Sequence, residues 1–496
     1  MTHEGTSTRT ALSKVSEAHI AWNVAHGLTW AAARDPHRVA VREGTRTLTY
    51  QALNERVNRL AHALRGLGIG RGERLLVLLG DRSEHLEALF ACAKAGIVAA
   101  PVDHRWRPDE VNHAVALYDP CAVLFEEATR QLVPELDVPR ICVERDYDAL
   151  LAQAGSGEAL QAVAEQALFC IAATSGTSGL PKGIVLTHRS MLWRLPIYAF
   201  DFGIGPDDTW LSVTPLAQGG GRAFAMAHLQ RGGSVLIDPD FEPERVLATI
   251  ERERVTTCFM VPTMFRRMLG CAALAHSDTS SLRCVISTGA PLPPETRVAI
   301  LDRLTPNLYQ FYSSTESGGI TSLPPWLQPG KGDSVGVGVF AKELRIEDDG
   351  EVLTRGPALM AEYFRNPEAS AAAFDGDWFR TGDLGRLDGD GFLHIIGRKK
   401  EMIISGGLNV YPAEVERVLY AHPAVQEAAV VGQPDPEWGE IVAAFIQLRP
   451  MSNATADELI EHCRAHLASY KKPRMVKFLA ELPRTTSGKI AKQLLG

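Results

Sequence analysis

Residues 174–183 read TSGTSGLPKG, and this stretch narrows the chemistry of the chain more than any other. Hydroxyl side chains and glycines fill its first six positions, so the backbone can turn sharply and direct several N–H and O–H donors at one anion. Lys182 adds a cation beside them. Apolar runs at 169–173 and 183–186 predict flanking strands, which favours a phosphate-binding loop over a solvated linker.

The spacing of this loop differs from that of the P-loop nucleoside triphosphatases. Gly-Lys pairs occur at Gly330-Lys331 and Gly488-Lys489, but neither pair has a glycine five residues before its own glycine. The kinase and GTPase interpretations are therefore weakened.

Composition and charge exclude several classes of protein. At 496 residues, 45% hydrophobic and 22% charged, the chain reads as a folded enzyme, and its length suggests about two to four domains. The net charge of −8 argues against nucleic-acid binding, because no overall basic excess neutralises phosphates. Eight cysteines without a CxxC pair indicate core residues in a reducing compartment. We therefore expect a cytoplasmic protein without a transmembrane segment, and leave open a homodimer.

The order of apolar segments predicts an α/β fold. Helices over 50–67 and 83–95 flank a buried strand at 74–79. A second block has strands at 209–213, 234–237, 257–261 and 284–288, whereas 333–397 has short strands at 343–346, 350–354 and 392–395. We expect a large N-terminal domain, 1–397, of two α/β subdomains plus a small β-barrel-like subdomain. A small mobile α+β C-terminal domain, 398–496, would follow the charged break at 397–401.

Four further motifs follow the loop in order: YSSTE at 312–316, TGD at 381–383, GR at 397–398 and PRTTSGK at 483–489. Glu316 is a hard oxygen ligand suited to Mg²⁺, and Thr315 offers a hydroxyl to the same phosphates. Tyr312 provides a flat face for adenine. Asp383 can accept from ribose hydroxyls, and Arg398 can donate to them or to the α-phosphate.

In this order and at these intervals, the five motifs resemble the core motifs of the adenylate-forming superfamily. That superfamily comprises acyl-CoA synthetases, adenylation domains of nonribosomal peptide synthetases and beetle luciferases, and the resemblance covers residues 28–496. It implies activation of a carboxylic acid by ATP and Mg²⁺, with CoA as a co-substrate. The nucleotide-binding residues that it implies are Thr174, Ser175, Gly176, Thr177, Ser178, Gly179, Lys182, Gly289, Ala290, Pro291, Tyr312, Asp383 and Arg398.

The resemblance also implies catalytic and conformational roles. Lys489 would be the catalytic cation, acting with Thr315 and the metal ligand Glu316, because one cation touching both carboxylate and α-phosphate lowers the barrier to attack. Lys400 matches the hinge between the domains. The segment with Gly406, Gly407 and Leu408 would bind the pantetheine arm of CoA after the small domain rotates.

Three positions depart from the pattern and are assigned to the acyl pocket. Gln218 stands where acyl-CoA synthetases commonly have histidine, and an amide cannot titrate near neutral pH. Phe311 stands where many relatives have glycine and malonate-specific ones arginine, which disfavours a small dicarboxylate. Ser313 is far smaller than the tryptophan that closes acetate pockets, which disfavours acetate.

These observations predict an ATP-dependent acid:CoA ligase for a medium- or long-chain fatty or aryl monocarboxylate. One alternative is an acyl-adenylating enzyme that loads a carrier protein. Another, of a different class, is a nucleotide-binding paralogue without catalysis, against which Glu316, Asp383 and Lys489 together argue. The sequence does not name the acid.

Overall fold

A computed structural model describes residues 22–174, 181–484 and 490–495. Within these residues the strands form four sheets, and the expected α/β architecture is confirmed. No helix in this part of the chain is long and apolar enough to span a bilayer. All eight cysteines are free thiols.

The first α/β subdomain is built on a seven-stranded sheet. Its strands, in spatial order, are Glu362–Tyr363, Lys182–Thr187, Leu168–Thr174, Val98–Pro101, Arg74–Leu78, Ala122–Phe125 and Arg140–Cys142. The four from Val98–Pro101 onward pair in parallel, whereas Leu168–Thr174 and Lys182–Thr187 form an antiparallel hairpin. The predicted strands at 169–173 and 183–186 are therefore confirmed as the two arms of one hairpin.

The second α/β subdomain is built on a nine-stranded sheet. Its strands, in spatial order, are Val337–Gly338, Gly318–Leu323, Leu308–Ser314, Cys284–Ser287, Thr257–Met260, Thr209–Ser212, Ser234–Ile237, Val39–Glu43 and Arg46–Thr49. The last two form an N-terminal hairpin that crosses over to this sheet, because Val39–Glu43 pairs in parallel with Ser234–Ile237.

Helices cover and separate the two sheets. In the large domain they are His26–Arg34, Tyr50–Gly66, Ser83–Ala95, Pro108–Tyr118, Asp148–Gln153, His188–Leu192, Arg194–Asp201, Gly219–Arg231, Pro243–Glu253, Pro262–Gly270, Pro294–Arg303 and Pro367–Ala372. Every residue of Ser83–Ala95 is buried, as expected of a helix that contacts both sheets, and Gly96 ends it with a φ of 74°. The Thr49 hydroxyl caps Tyr50–Gly66 by accepting from the Ala52 N–H at 3.2 Å.

A small antiparallel sheet follows the nine-stranded one. Its strands are Glu343–Ile346, Glu351–Arg355, Phe374–Asp375, Trp378–Leu387 and Leu393–Arg398. This is the small subdomain that the short strands within 333–397 predict.

The C-terminal region has a sheet and hydrophobic core of its own. The strands are Ile403–Ser405, Leu408–Val410, Val425–Asp435, Gly439–Leu448 and Met475–Phe478, and the helices are Pro412–Tyr420 and Ala456–His466. The chain passes between the two sheets through a short 3-10 turn, Lys399–Glu401. The boundary at 397/398 stays a prediction; it lies at the end of the strand Leu393–Arg398, directly before this turn.

Candidate active site

The predicted phosphate loop connects the arms of the Leu168–Thr174 and Lys182–Thr187 hairpin. The last pair of the hairpin is Thr174 with Lys182. Ser175, Gly176, Thr177, Ser178 and Gly179 lie outside the described residues, so their predicted roles stay predictions. Gly183 allows the arms to pack closely, because a Cβ there would lie 2.8 Å from the Ile171 side chain and 2.9 Å from that of Tyr118.

The turn that carries Thr315 and Glu316 faces the end of this hairpin. The hydroxyl of Tyr363 donates to Glu316 Oε1 at 3.2 Å, and the ammonium of Lys182 lies 4.9 Å from the centre of the Tyr363 ring. Tyr363 is in reach of both because Glu362–Tyr363 pairs with Lys182–Thr187. The fold therefore brings Lys182 close to Thr315 and Glu316, which lie more than 130 residues later in the chain.

Across the described residues, no group of three or more His, Cys, Asp or Glu side chains forms a candidate metal centre. A single carboxylate such as that of Glu316 nevertheless suits Mg²⁺, which keeps several waters and takes its other ligands from phosphates. Glu316 lines a large cavity between the elements described above, so its carboxylate oxygens fit the binding of a magnesium–nucleotide complex there.

Tyr312, Asp383 and Arg398 form a hydrogen-bonded group, here called the Asp383 cluster. The Tyr312 hydroxyl donates to Asp383 Oδ2 at 2.6 Å, and Arg398 Nε lies 2.9 Å from Asp383 Oδ1. Asp383 and Arg398 are register partners on neighbouring strands. Burial and the Asp383 carboxylate raise the pKa of Tyr312 well above its usual value, so its hydroxyl stays a donor. Burial alone would lower the pKa of Arg398, but the negative groups around it, Asp383 first and then Glu401, Tyr312 and Glu316, together raise it.

The predicted acyl-pocket residues line the same cavity, which has a volume of about 2190 Å³. Phe311 packs edge-on against Phe202 at 5.1 Å between ring centres. The Gln218 amide donates to Asp103 Oδ2 at 3.2 Å. Ser313 Oγ lies 3.4 Å from the Thr288 hydroxyl oxygen.

The predicted adenine-side turn is only partly in the cavity wall. Gly289, which has a φ of 87°, lines the cavity, whereas Ala290 and Pro291 are exposed and lie outside its lining. Their role in nucleotide binding stays a prediction.

The C-terminal region contributes Arg484 and Lys400 to the cavity wall. Lys489 lies outside the described residues. Gly406 and Gly407 form the turn of a hairpin and Leu408 begins its second strand, and none of the three lines this cavity. Gly406 and Gly407 have φ values of 58° and 78°, and a Cβ on Gly406 would lie 2.7 Å from the Trp438 ring. In this arrangement, therefore, Arg484 lines the site and the glycine turn does not.

Comparisons with known proteins agree with this geometry. Residues 28–364 match the AMP-binding enzyme family, and residues 414–489 match the AMP-binding enzyme C-terminal domain. The chain belongs to the AMP-binding enzyme family.

Relatives in this family match almost the whole chain. A feruloyl-CoA synthase of Amycolatopsis sp is 36% identical over 479 residues, which cover 93% of this chain and 96% of that protein. An indoleacetate–CoA ligase of Aromatoleum aromaticum is 35% identical over 492 residues, which cover 93% of this chain and 95% of that protein. The solved o-succinylbenzoate CoA synthetase of Bacillus subtilis, in complex with its acyl-adenylate, is 30% identical with a TM-score of 0.85 and covers 95% and 97%.

Two cations of this AMP-binding enzyme that sequence reasoning missed support the Thr315–Ser317 turn. Arg194 Nη2 donates to the Thr315 carbonyl at 2.9 Å, and Lys342 Nζ donates to the Ser317 carbonyl at 2.7 Å. Burial, together with a smaller effect of the Arg194 charge, lowers the pKa of Lys342 to about 7. Neither residue lies in a motif. The available signal was Arg194 itself, a charge at the start of a helix whose next six residues, 195–200, carry none.

Proposed function

We propose that this protein is an AMP-forming acid:CoA ligase that acts on an aryl or fatty monocarboxylate. In the first half-reaction, the carboxylate attacks the α-phosphate of ATP and gives an acyl-adenylate and pyrophosphate. In the second, the thiol of CoA displaces AMP and gives the thioester. One observation carries the proposal: the Asp383 cluster, the Thr315-Glu316 turn and the Phe311 wall line a single cavity.

The nucleotide would be held by the Asp383 cluster, the 174–179 loop, Lys182 and the 289–291 turn. Asp383 has a free lone pair on each oxygen for ribose hydroxyls beyond its two protein partners. Mg²⁺ held by Glu316, with Thr315 beside it, would neutralise phosphate charge. Lys182 stands 4.9 Å from the Tyr363 ring that contacts Glu316, which supports its placement at the same phosphates.

Two named relatives support an aryl acid in particular, since one is a feruloyl-CoA synthase and the other an indoleacetate–CoA ligase. The aromatic rings of Phe224, Phe259 and Phe311 in the cavity wall suit such a substrate. A small dicarboxylate is disfavoured because Phe311 occupies the wall with an apolar ring.

Lys489 is proposed as the catalytic cation. Arg484, five residues before it, lines the cavity, which supports access of this segment to the α-phosphate. Lys489→Ala should reduce acyl-adenylate formation by about two to three orders of magnitude, because one preorganised charge is lost. The variant should still convert synthetic acyl-adenylate and CoA to thioester. Equal losses in both half-reactions would contradict this division of roles.

The small domain is proposed to rotate about Lys400 between the half-reactions. The transition from one sheet to the next between Arg398 and Ile403 supports the division at 397/398. Rotation would bring the turn with Gly406, Gly407 and Leu408 to the cavity for CoA.

The decisive experiment measures pyrophosphate release across a panel of acetate, malonate, fatty acids and aryl acids, with and without CoA, and identifies the thioester by mass. Acid-dependent pyrophosphate followed by CoA-dependent AMP release is expected for apolar monocarboxylates. Product formed only when holo-carrier protein replaces CoA would favour the carrier-loading alternative. Nucleotide binding with no turnover of any acid would favour the paralogue without catalysis.

Magnesium dependence, a homodimer and a cytoplasmic location stay predictions. Turnover after removal of Mg²⁺ with a chelator tests the first, sedimentation tests the second, and fractionation of the source cells tests the third.

A further inference from the structure

Two polar side chains, Arg194 and Tyr198, lie in the aromatic part of the cavity wall. They stand one turn apart on the helix Arg194–Asp201 and so share one face. Arg194 is 3% exposed and Tyr198 is 5% exposed, yet both line the cavity. The small exposed surface of each residue therefore faces the cavity.

These two residues are continuous with the Phe311 wall. The Tyr198 ring lies 4.7 Å from that of Phe224, which in turn lies 6.1 Å from that of Phe311. On the other side, a Cβ on Gly318 would lie 3.0 Å from Arg194 Nε, and one on Gly319 would lie 2.7 Å from the Phe311 ring. Absence of side chains at these two glycines leaves room between the guanidinium and the ring.

The charge of Arg194 is not neutralised within the described part of the protein. Its hydrogen bonds there go to two backbone carbonyls, those of Thr315 at 2.9 Å and Ala358 at 3.4 Å, and it forms no ion pair. Its Nε is buried without a partner. Burial lowers the pKa of Arg194, and the positive charge of Arg222 lowers it as well. The negative charge of Glu316 acts in the opposite direction and raises the pKa.

A buried cation without a counter-charge is unfavourable unless a ligand supplies acceptors. A guanidinium only donates hydrogen bonds, so the group that complements it must be an acceptor. The aromatic neighbours select a flat apolar body that carries this acceptor.

We propose that the acid substrate is an aryl carboxylic acid with an acceptor oxygen on its ring, and that Arg194 and Tyr198 bind this oxygen. The proposal rests on the ligase function proposed above. It assigns Arg194 and Tyr198 as specificity-determining residues and adds a substituent to the substrate class.

The test compares cinnamate with its 3- and 4-hydroxy, methoxy and methyl derivatives, using initial rates of pyrophosphate release. A methyl group matches a hydroxyl group in size but cannot accept a hydrogen bond, so each methyl acid is compared with the hydroxy acid substituted at the same position. The wild type should prefer an oxygenated acid over its methyl counterpart by at least about tenfold in kcat/KM, because a polar pocket rejects a substrate that leaves its donors unpaired.

Two variants separate recognition from support of the Thr315 turn. Arg194→Met should lose at least about tenfold for the preferred oxygenated acid and change much less for its methyl counterpart. Tyr198→Phe, which keeps the ring and its packing, should lose part of the same preference. Tyr309→Phe is the matched control, because Tyr309 is buried in the same aromatic cluster but does not line the cavity. It should leave both acids unchanged.

Three outcomes would overturn the inference. If the wild type is an active ligase but shows no preference for oxygenated acids, the inference about Arg194 and Tyr198 is wrong and the proposed ligase function is unaffected. Equal loss for all acids in Arg194→Met, with Tyr198→Phe unchanged, would reduce Arg194 to a support for the turn. Absence of acid-dependent pyrophosphate with every acid would overturn the ligase function and this inference with it.

Discussion

A single carboxylate, that of Asp383, organises the proposed ribose site. It accepts from the Tyr312 hydroxyl and pairs with Arg398, and it is 6% exposed. These three residues belong to motifs that are 71 and 15 residues apart along the chain. Each motif was visible in the sequence because its residue types already suit a nucleotide.

Asp383→Asn should weaken ATP binding and leave acid binding nearly unchanged. The amide keeps the shape of the side chain and can still accept from Tyr312, but it loses the ion pair and one acceptor for ribose. A hydrogen bond to a charged group contributes about 1.5–3 kcal/mol, so the KM for ATP should rise about ten- to a hundredfold. The KM for ATP is measured from initial rates of pyrophosphate release at varied ATP concentrations.

Asp388→Asn is the matched control for this change. Asp388 follows the same strand and pairs with Lys331 at 2.7 Å, but it does not line the cavity. It should leave the KM for ATP unchanged. Equal effects of the two substitutions would mean that Asp383 acts through the stability of the small subdomain.

The sequence did not allow us to predict the hydrogen-bond contacts made by Arg194, Tyr363 and Lys342. Their partners are 121, 47 and 25 residues away, and the partner atoms are backbone carbonyls or one oxygen of Glu316. No local pattern of residue types encodes such contacts.

Elements were predicted more closely than single contacts. The strands at Ser234–Ile237 and Glu343–Ile346 and the helix Ser83–Ala95 have the predicted bounds, because short apolar runs end at polar residues or at glycine. The N-terminal hairpin, Val39–Glu43 with Arg46–Thr49, was not predicted. Its place in the nine-stranded sheet depends on pairing with a strand almost 200 residues later, which no local pattern specifies.

The turn between Leu308–Ser314 and Gly318–Leu323 is an element held by cations, and one of them should titrate near neutral pH. Burial lowers the pKa of Lys342 from 10.5 to about 7. Between these values the unfolded chain binds a proton at this lysine that the folded protein does not. The contribution of Lys342 to the free energy of unfolding should therefore rise with pH from about 7 to 10.5, by up to about 1.4 kcal/mol per pH unit.

Lys342→Met removes this contribution. The difference in unfolding free energy, wild type minus variant, should increase as pH rises from 7 to 9 in reversible denaturant titrations. Lys477→Met, at an exposed position of the small domain, serves as the control and should give parallel curves. Parallel curves for Lys342→Met as well would mean that this lysine stays charged in the folded protein.

On the scale of the whole molecule, the small domain docks on the large one through a buried carboxylate. Glu427, 3% exposed, lies on the strand Val425–Asp435 of the small domain. It pairs with Arg266 of the helix Pro262–Gly270 in the large domain and with Arg484 of its own domain. The charged break at 397–401 predicts two domains, but nothing in the sequence specifies this contact, because each partner is an ordinary charged residue.

Arg484 directly precedes the segment that carries Lys489, and Glu427 connects Arg484 to Arg266 of the large domain. Arg266→Met should therefore lower acyl-adenylate formation, because the arrangement that presents Lys489 becomes less populated. Loss of about 1.4 kcal/mol shifts such an equilibrium tenfold, and the variant keeps the Glu427–Arg484 pair, so about a tenfold loss is expected. Conversion of synthetic acyl-adenylate and CoA to thioester should be unchanged or faster, since in the proposed cycle it follows rotation of the small domain.

The comparison of the two half-reactions is what separates docking from general damage. Arg254→Met breaks an ion pair of 2.7 Å within the large domain, with Asp278, and should leave both half-reactions as in the wild type. If Arg266→Met slowed both half-reactions equally, the pair would contribute to the folding of the large domain alone. If adenylation kept its wild-type rate, Glu427 and Arg484 would suffice to place the segment, and the large-domain arginine would have no part in presenting Lys489. A selective loss of the first half-reaction is the result that only a docking role predicts, because the proposed rotation takes the small domain out of the arrangement that Arg266 stabilises before the second half-reaction.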